Sequence, residues 1–459
     1  LAEIDRVGWV PAWGVNRIRA AVESRPDWCI SRQRSWGVPI PAFYAADRQA
    51  ILDAGVVRRT ADLFEQHGSN IWFEKSAEEL WRLVKPPGWQ GPEPVAKSAD
   101  TLDVWIDSGS SSSAVIARRP ELRGADKPFQ CDMYLEGSDQ HRGWFQSSLL
   151  LSLAGNGAAP YRTVLTHGFM VDADREKISK SKQGQGGYQK PQTADRYIRD
   201  YGADVLRLWV ASQDFRNDIV VSEDRLQKVG ETYRMLRNTL RYQLSNLFDF
   251  DPATHAVADG ELTGLDRWIL GEFSALEAEC ARAYDACEYH LVYQRVSQFA
   301  AVELSAVYHD VVKDRLYTDA ANSRRRRSTQ TALYRLVTRL CQLLSPVLVF
   351  TSDEAWGFIP GRAQASVHLS DWSPLSFPRD EVEVAAWRWL LATREKVLPE
   401  LEKARQAKLI GKSLEARVTL GVPAAEAPLA GAHAAELKEL LNVSRSEEHT
   451  SELQSLTNL

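Results

Sequence analysis

Residues Glu176 to Lys182 read EKISKSK: Lys177 and Lys180 flank a serine hydroxyl, and Lys182 stands at the edge of a glycine-rich run. Ammonium groups packed that closely repel one another unless an anion is to sit among them, although a solvated basic loop is the plainer reading of the stretch by itself. Its surroundings decide against the plainer reading. Thr163 to Phe169 (TVLTHGF) has the make-up of a short buried strand, so the lysines follow a strand end, where open α/β sheets place their ligand crevices. Cys131 to Phe145 (CDMYLEGSDQHRGWF) is a second apolar run that breaks at Gly137, with Ser138 placed to cap a helix and Asp139 in its first turn. Two strand ends, a helix N-terminus and a lysine loop converging on one crevice predict a nucleotide site.

The chain of 459 residues is 44% hydrophobic and 25% charged, the balance of a globular protein with room for about two to four domains. No apolar run approaches a membrane span and no signal-peptide pattern opens the chain, so a cytoplasmic protein without membrane contact is expected. A net charge of −5 gives no global attraction to nucleic acid; any polyanion has to be met by a local basic surface. The five cysteines form no Cys-x-x-Cys pair and read as buried thiols of a reducing compartment, with no metal site and no zinc site.

LEGSDQHRGWF (Leu135 to Phe145), then HGF (His167 to Phe169) and KISKS (Lys177 to Ser181), resembles the second half of a class I aminoacyl-tRNA synthetase, whose lysine loop is usually Lys-Met-Ser-Lys-Ser. DWCISRQRSWGVPIP (Asp27 to Pro41), LDVWIDSGSS (Leu102 to Ser111) and YGADVLRLWVAS (Tyr201 to Ser212) resemble its bacterial-type isoleucyl branch, and the similarity runs to about Val443. The resemblance implies an α/β segment, the second half of a Rossmann-like nucleotide-binding domain, followed by an all-α anticodon-binding bundle. It implies that Lys180 contacts ATP with help from Lys177, and that Glu136, Gly137, Asp139, Gln140, His167 and Gly168 hold ATP or the adenylate. It makes Trp105 and Trp144 walls of the amino-acid pocket. ATP with Mg2+, isoleucine and tRNA(Ile) are the implied substrates, and a monomer the implied state. The sister enzymes for valine or leucine, and a non-catalytic tRNA-binding module, are the alternatives. The resemblance also puts a His-Ile-Gly-His type motif and an editing insertion upstream of Leu1; no such motif occurs in this chain, which is expected to be inactive alone. After Lys182 the chain runs Gln183-Gly184-Gln185-Gly186-Gly187, where the family usually has Lys-Gly-Asn.

Along the chain, residues 1–222 form the expected partial catalytic domain, with a charged, helical connective subdomain near 44–97 that closes on KPPGWQGPEP. Asp103, Trp105 and Asp107 alternate as on one face of a strand. Residues 223–395 are expected as the bundle: Leu226, Val229, Tyr233, Leu236 and Leu240 keep three/four spacing, as do Ile269, Phe273, Leu276 and Cys280. Further helices are expected over Val296 to Leu316 and Thr331 to Leu344, and Thr351 with Glu354 matches a capping box. Arg324, Arg325, Arg326 and Arg327 are either a solvated helix start or contacts to tRNA phosphates, and both readings stay open. With Arg234, Arg237 and Arg241 they lie in amphipathic helices whose apolar faces are committed to the bundle, so the cations are expected outward and the region is expected to bind tRNA. Residues 396–443 begin a further module with a strand from Arg417. Ser444 to Leu459 resembles a translated sequencing adapter and is expected to be disordered.

Overall fold

A computed structural model describes residues 1–24, 27–123, 126–172, 193–372, 374–378 and 380–443, and the backbone of 445–450. The chain forms two units, Leu1–Phe169 with Phe215–Asp218, and Met170–Asp214 with Ile219–Leu459.

In chain order, the first unit holds β1 (Gly8–Val10), α1 (Gly14–Glu23), β2 (Ser31–Arg32), β3 (Phe43–Tyr44), β4 (Ala50–Ile51), α2 (Ala54–His67), α3 (Ala77–Val84), β5 (Ala96–Lys97) and β6 (Thr101–Leu102). After these come α4 (Val104–Gly109), β7 (Cys131–Gly137), α5 (Trp144–Asn156) and β8 (Tyr161–His167). The main sheet has the order β1-β8-β7 with both pairings parallel, and the register runs from Cys131 opposite Tyr161 to Gly137 opposite His167. Parallel neighbours need a crossover, and α5 supplies it between β7 and β8. Its sequence WFQSSLLLSLAGN is apolar almost all round, as suits a buried crossover, and it stops at Gly157, whose φ of 73° is the left-handed cap glycine favours. The Tyr161 hydroxyl donates to the Phe145 carbonyl at 3.0 Å, fixing β8 to α5 over a core of Ile4, Ile18, Tyr134, Leu149 and Val164.

The connective region differs from its wholly helical expectation. Around α2 and α3 it carries an antiparallel sheet, β4-β3-β5, packed on Phe43, Trp72 and Trp81. Strands of two residues are too short for alternation to show in sequence. Asp103 also departs from the strand reading: its carboxylate accepts from the Trp105 amide at 3.2 Å, so it caps α4, and Asp107 lies one helical turn on.

The second unit begins with β9 (Met170–Val171), which pairs in parallel with β10 (Ile219–Val220) around α6 (Ala194–Tyr201) and α7 (Ala203–Ala211). The long helices are α8 (Glu223–Ser245), α9 (Gly264–Asp285), α10 (Tyr289–Phe299), α11 (Arg324–Leu344), α12 (Val349–Trp356) and α13 (Glu381–Gln406). Leu226, Val229, Leu236, Leu240, Ile269, Phe273 and Cys280 are buried in one core, as their spacing requires. The helical stretch expected over Val296 to Leu316 is present, α-helical at both ends and wound as a π-helix from Ala300 to Tyr308. Thr351 is not a cap: α12 starts at Val349, and Asp204 of α7 accepts from the Phe350 and Thr351 amides at 3.3 and 2.7 Å. Fully buried Asp266 accepts from the Tyr308 and Ser328 hydroxyls, both at 2.5 Å, and from Arg315. Cys280, Cys287 and Cys341 are buried, but Cys131 is only half-buried and Cys29 is exposed, against the expectation of five buried thiols.

The last described segment corrects the expectation of disorder in part. β11 (Arg417–Val422), α14 (Ala427–Ala432), α15 (Ala434–Leu441) and β12 (Arg445–Thr450) make a strand-helix-strand unit, with Arg417 opposite Arg445 through Val422 opposite Thr450. The backbone groups of β11 accept any chain that α15 returns beside them, so composition was a poor guide. Ser444 and residues 451–459 lie outside the described residues.

Candidate nucleotide and amino-acid site

β7 and β8 end side by side, with Glu136 opposite Thr166 and Gly137 opposite His167. The Glu136 carboxylate lies 4.0 Å from His167 Nε2, and His167 Nδ1 lies 2.6 Å from the Gly168 carbonyl. A carbonyl can only accept, so Nδ1 carries a proton there, and Nε2 is the ring nitrogen nearer the Glu136 carboxylate. Gly168 is a close approach: its amide donates to the Phe215 carbonyl at 2.8 Å, and a Cβ there would lie 2.4 Å from the Asn217 carbonyl oxygen, a backbone atom that cannot rotate away.

Beyond Gly137 the chain makes a 3-10 turn over Ser138–Arg142 before α5. Ser138 does not cap the helix. Gln140 does so, its Oε1 accepting from the Trp144 amide at 3.0 Å while its Nε2 lies 3.4 Å from Asp139 Oδ2. Asp139 and Glu136 are exposed, and among the described residues neither pairs with a lysine or arginine. The turn also carries His141, which sequence reasoning passed over. It is buried between Trp9 and Trp13, with ring centroids 5.9 and 5.6 Å away, and burial pushes its pKa below the ordinary value. Flanking tryptophans far back in the chain gave no sequence signal for it.

Trp105 is the second residue of α4, and Trp144 opens α5. Trp144 stacks on Tyr134 at 4.1 Å and donates its indole N–H to the Ser108 carbonyl at 2.9 Å. Trp105 is 38% exposed and lines a cavity of about 160 Å³ with Trp28, Arg32, Asp103 and Gly143; Trp144 does not line it. Asp107 on α4 is pushed above the usual carboxylate range by burial and then by Asp103. Lys177, Lys180 and the rest of EKISKSK lie outside the described residues, as does the glycine-rich continuation. Among the described residues, no group of three or more His, Cys, Asp or Glu side chains could hold a metal ion.

The family model for tRNA synthetases class I (I, L, M and V) matches residues 1–222, and that for the anticodon-binding domain of tRNA ligase matches residues 266–420. The chain belongs to the class I tRNA synthetases. Similar curated proteins include the isoleucine–tRNA ligases of Geobacter sulfurreducens, 47% identical over 97% of this chain, and Moorella thermoacetica, 48% identical over 92%. The chain spans 47% and 44% of their lengths, so about half of each relative. Among solved structures, Mycobacterium tuberculosis methionyl-tRNA synthetase in complex with methionyl-adenylate matches 81% of this chain and 64% of its own, with a TM-score of 0.53 and 16% identity. The Agrobacterium radiobacter K84 LeuRS in a ternary complex with tRNA and LeuAMS gives 0.53 and 17%, over 76% of this chain and 43% of its own. These two share the fold.

In the helical bundle, the four-arginine run does not present four outward cations. Arg326 and Arg327 are 5% and 8% exposed. Arg326 grips Asp249 with both terminal nitrogens, at 2.6 and 2.9 Å, and Arg327 reaches the Asp249 carbonyl, Gln330 and Asn322. Arg325 is held by Asp319 at 2.7 Å, which leaves Arg324, 3.5 Å from Glu261, as the loosely paired one. Arg326 holds the Asp249 carboxyl well below its usual range, at about 2. Outward cations occur elsewhere: Arg237 and Arg241 line a groove of about 500 Å³ with Leu244, Phe248, Phe358 and Pro360, and the two phenylalanines are 82% and 72% exposed.

Proposed function

We propose that the chain supplies the lysine-loop half of the catalytic site and the RNA-binding bundle of an isoleucine–tRNA ligase, which activates isoleucine with ATP and transfers it to tRNA(Ile). The observation that carries this reading is the pair of adjacent parallel strand ends, Glu136-Gly137 beside His167-Gly168, in a chain 47% identical to isoleucine–tRNA ligases. Activation is attack of the isoleucine carboxylate on the α-phosphorus of ATP, with pyrophosphate leaving. Lys180 and Lys177 stabilise the charge that grows on the leaving group, binding the transition state more tightly than the ground state. Glu136 accepts from the substrate ammonium or a ribose hydroxyl, and His167 lies beside it to meet a second ribose hydroxyl. Gly137 and Gly168 let the adenylate lie against backbone, and Asp139 and Gln140 complete its polar contacts. Trp105 and Trp144 present aromatic walls to a branched aliphatic side chain. Mg2+ carried with ATP would supply charge neutralisation at the phosphates.

For tRNA, the groove at Arg237 and Arg241 suits single-stranded RNA better than the arginine run does: its guanidinium groups meet phosphate and exposed Phe248 and Phe358 offer faces to bases. A cytoplasmic monomer accords with that role; no helix among the described residues is long and apolar enough to cross a membrane. In the complete enzyme, Lys180→Ala is expected to slow isoleucine activation about 10²- to 10³-fold, and Glu136→Gln to weaken it by a smaller factor. Isoleucine-dependent pyrophosphate exchange measures both, and a Lys180→Ala loss below about threefold would remove that lysine from the role.

A further inference from the structure

The Asp103 carboxylate is buried, its side chain 6% exposed, and its hydrogen-bond partners among the described residues are Trp28, Arg32 and Trp105. One oxygen accepts from the Trp105 amide at 3.2 Å; the other accepts from the Trp28 indole N–H at 2.9 Å and from the Arg32 guanidinium. Its own amide donates to the Ile30 carbonyl at 2.7 Å. Arg32 is in turn clamped on the Cys29 and Ser31 carbonyls, both at 2.7 Å, and β2 pairs antiparallel with β6 immediately before Asp103. One carboxylate thus joins the segment from Trp28 to Arg32 to the first turn of α4. Trp105, second in that helix, is also held at its ring edge, because Gly143 has no side chain: a Cβ there would stand 2.9 Å from the indole and 2.7 Å from Gln140 Oε1. Asp103, Arg32, Trp28, Trp105 and Gly143 line the same cavity of about 160 Å³.

We propose that Asp103 is a positioning residue for amino-acid selection, holding Trp105 in place through the α4 cap while Arg32 and Trp28 hold Asp103. The proposal rests on Trp105 being a wall of the isoleucine pocket. A buried ion pair that only stabilises the unit would lower the melting temperature and the amount of active enzyme without favouring one substrate. A positioning group moves one Michaelis constant and leaves the other.

In the complete enzyme, Asp103→Asn puts an amide N–H against the Trp28 or Arg32 donors and removes the charge facing a guanidinium that is 33% exposed. Displacing a pocket wall by a fraction of an ångström is expected to raise KM for isoleucine about tenfold, with KM for ATP within about twofold. Trp105→Phe is expected to raise the isoleucine KM as well, and the double variant to be no worse than the larger single change, since both act on one wall. If Trp105→Phe raises KM and Asp103→Asn does not, or shifts both constants equally, the positioning role is overturned while the pocket stands. If Trp105→Phe leaves the isoleucine KM unchanged, the pocket reading fails and the proposal falls with it. Should Asp103→Asn not fold, Arg32→Lys, which keeps the charge but loses the fork, tests the same point with an expected rise of about threefold; no rise overturns it.

Discussion

At the strand ends of the first unit, Glu136 and Asp139 are exposed with no lysine or arginine partner among the described residues, whereas in the second unit Arg326 and Arg327 turn inward onto Asp249. In sequence, the arginine run is the louder electrostatic signal. In the fold it is the quieter one, because consecutive residues on a helix point in different directions and α11 carries its first turn into the core. The direction of a charge depends on whether a counter-charge lies within reach, and Asp249 stands 77 residues from Arg326. The strand-end carboxylates are open to a ligand because no lysine or arginine among the described residues has claimed them.

Stability separates the two kinds of charge most strongly. Arg326→Ala removes one partner of a buried pair and leaves Asp249 without its main counter-charge, so denaturant unfolding is expected to show a loss of about 3–5 kcal/mol. Arg324→Ala, at an exposed pair, is expected to cost less than about 1 kcal/mol. Similar losses for the two would erase the distinction between the halves of the run.

Acid sharpens the same contrast. The folded Asp249 carboxyl, held at about 2, lies below its unfolded value, so its contribution is complete above the unfolded pKa and is lost as pH falls through the folded one. With an unfolded pKa of about 3.9, the stabilisation amounts to about 2–3 kcal/mol. The gap between parent and Asp249→Asn is therefore expected to be full above about pH 4 and to close toward pH 2. A gap independent of pH across that window would mean that the charge of Asp249 is not what holds Arg326.

The smallest expected effect concerns RNA. Replacing Arg237 and Arg241 by serine is expected to flatten the dependence of log tRNA affinity on log salt by about 0.7–0.9 for each phosphate that is no longer neutralised, about one or two phosphates in all. Arg324→Ser is expected to change the slope by the equivalent of one phosphate at most. A larger change from Arg324 than from the groove pair would return phosphate binding to the arginine run.

Much of the sheet was legible because its strands announce themselves locally. CDMYLEG and TVLTHGF end on or near glycine and became β7 and β8, which brought Glu136, Gly137, His167 and Gly168 together. The long helices were legible from leucines at three/four spacing. What stayed hidden was long-range. Asp103 and Asp107 alternate with Trp105 and so mimic a strand, although the Asp103 side chain starts a helix. Gln140 and Asp204 cap helices by side chains that no capping pattern names, since one reaches across a 3-10 turn and the other comes from a different helix. The link from Trp28 to Asp103 spans 75 residues, and β12 needed only a free strand edge. Local pattern reached the elements and the strand-end residues; partners distant in sequence decided burial, caps and the tryptophan setting.

The central claim is that this strand-end site belongs to an isoleucine-activating enzyme. ATP–pyrophosphate exchange by the complete enzyme, run in parallel with isoleucine, valine and leucine, tests it most directly. The expected result is that kcat/KM is highest for isoleucine and falls when Glu136 is changed to glutamine. Exchange driven better by valine or leucine, or none with any of the three by an enzyme that still binds tRNA, would contradict it.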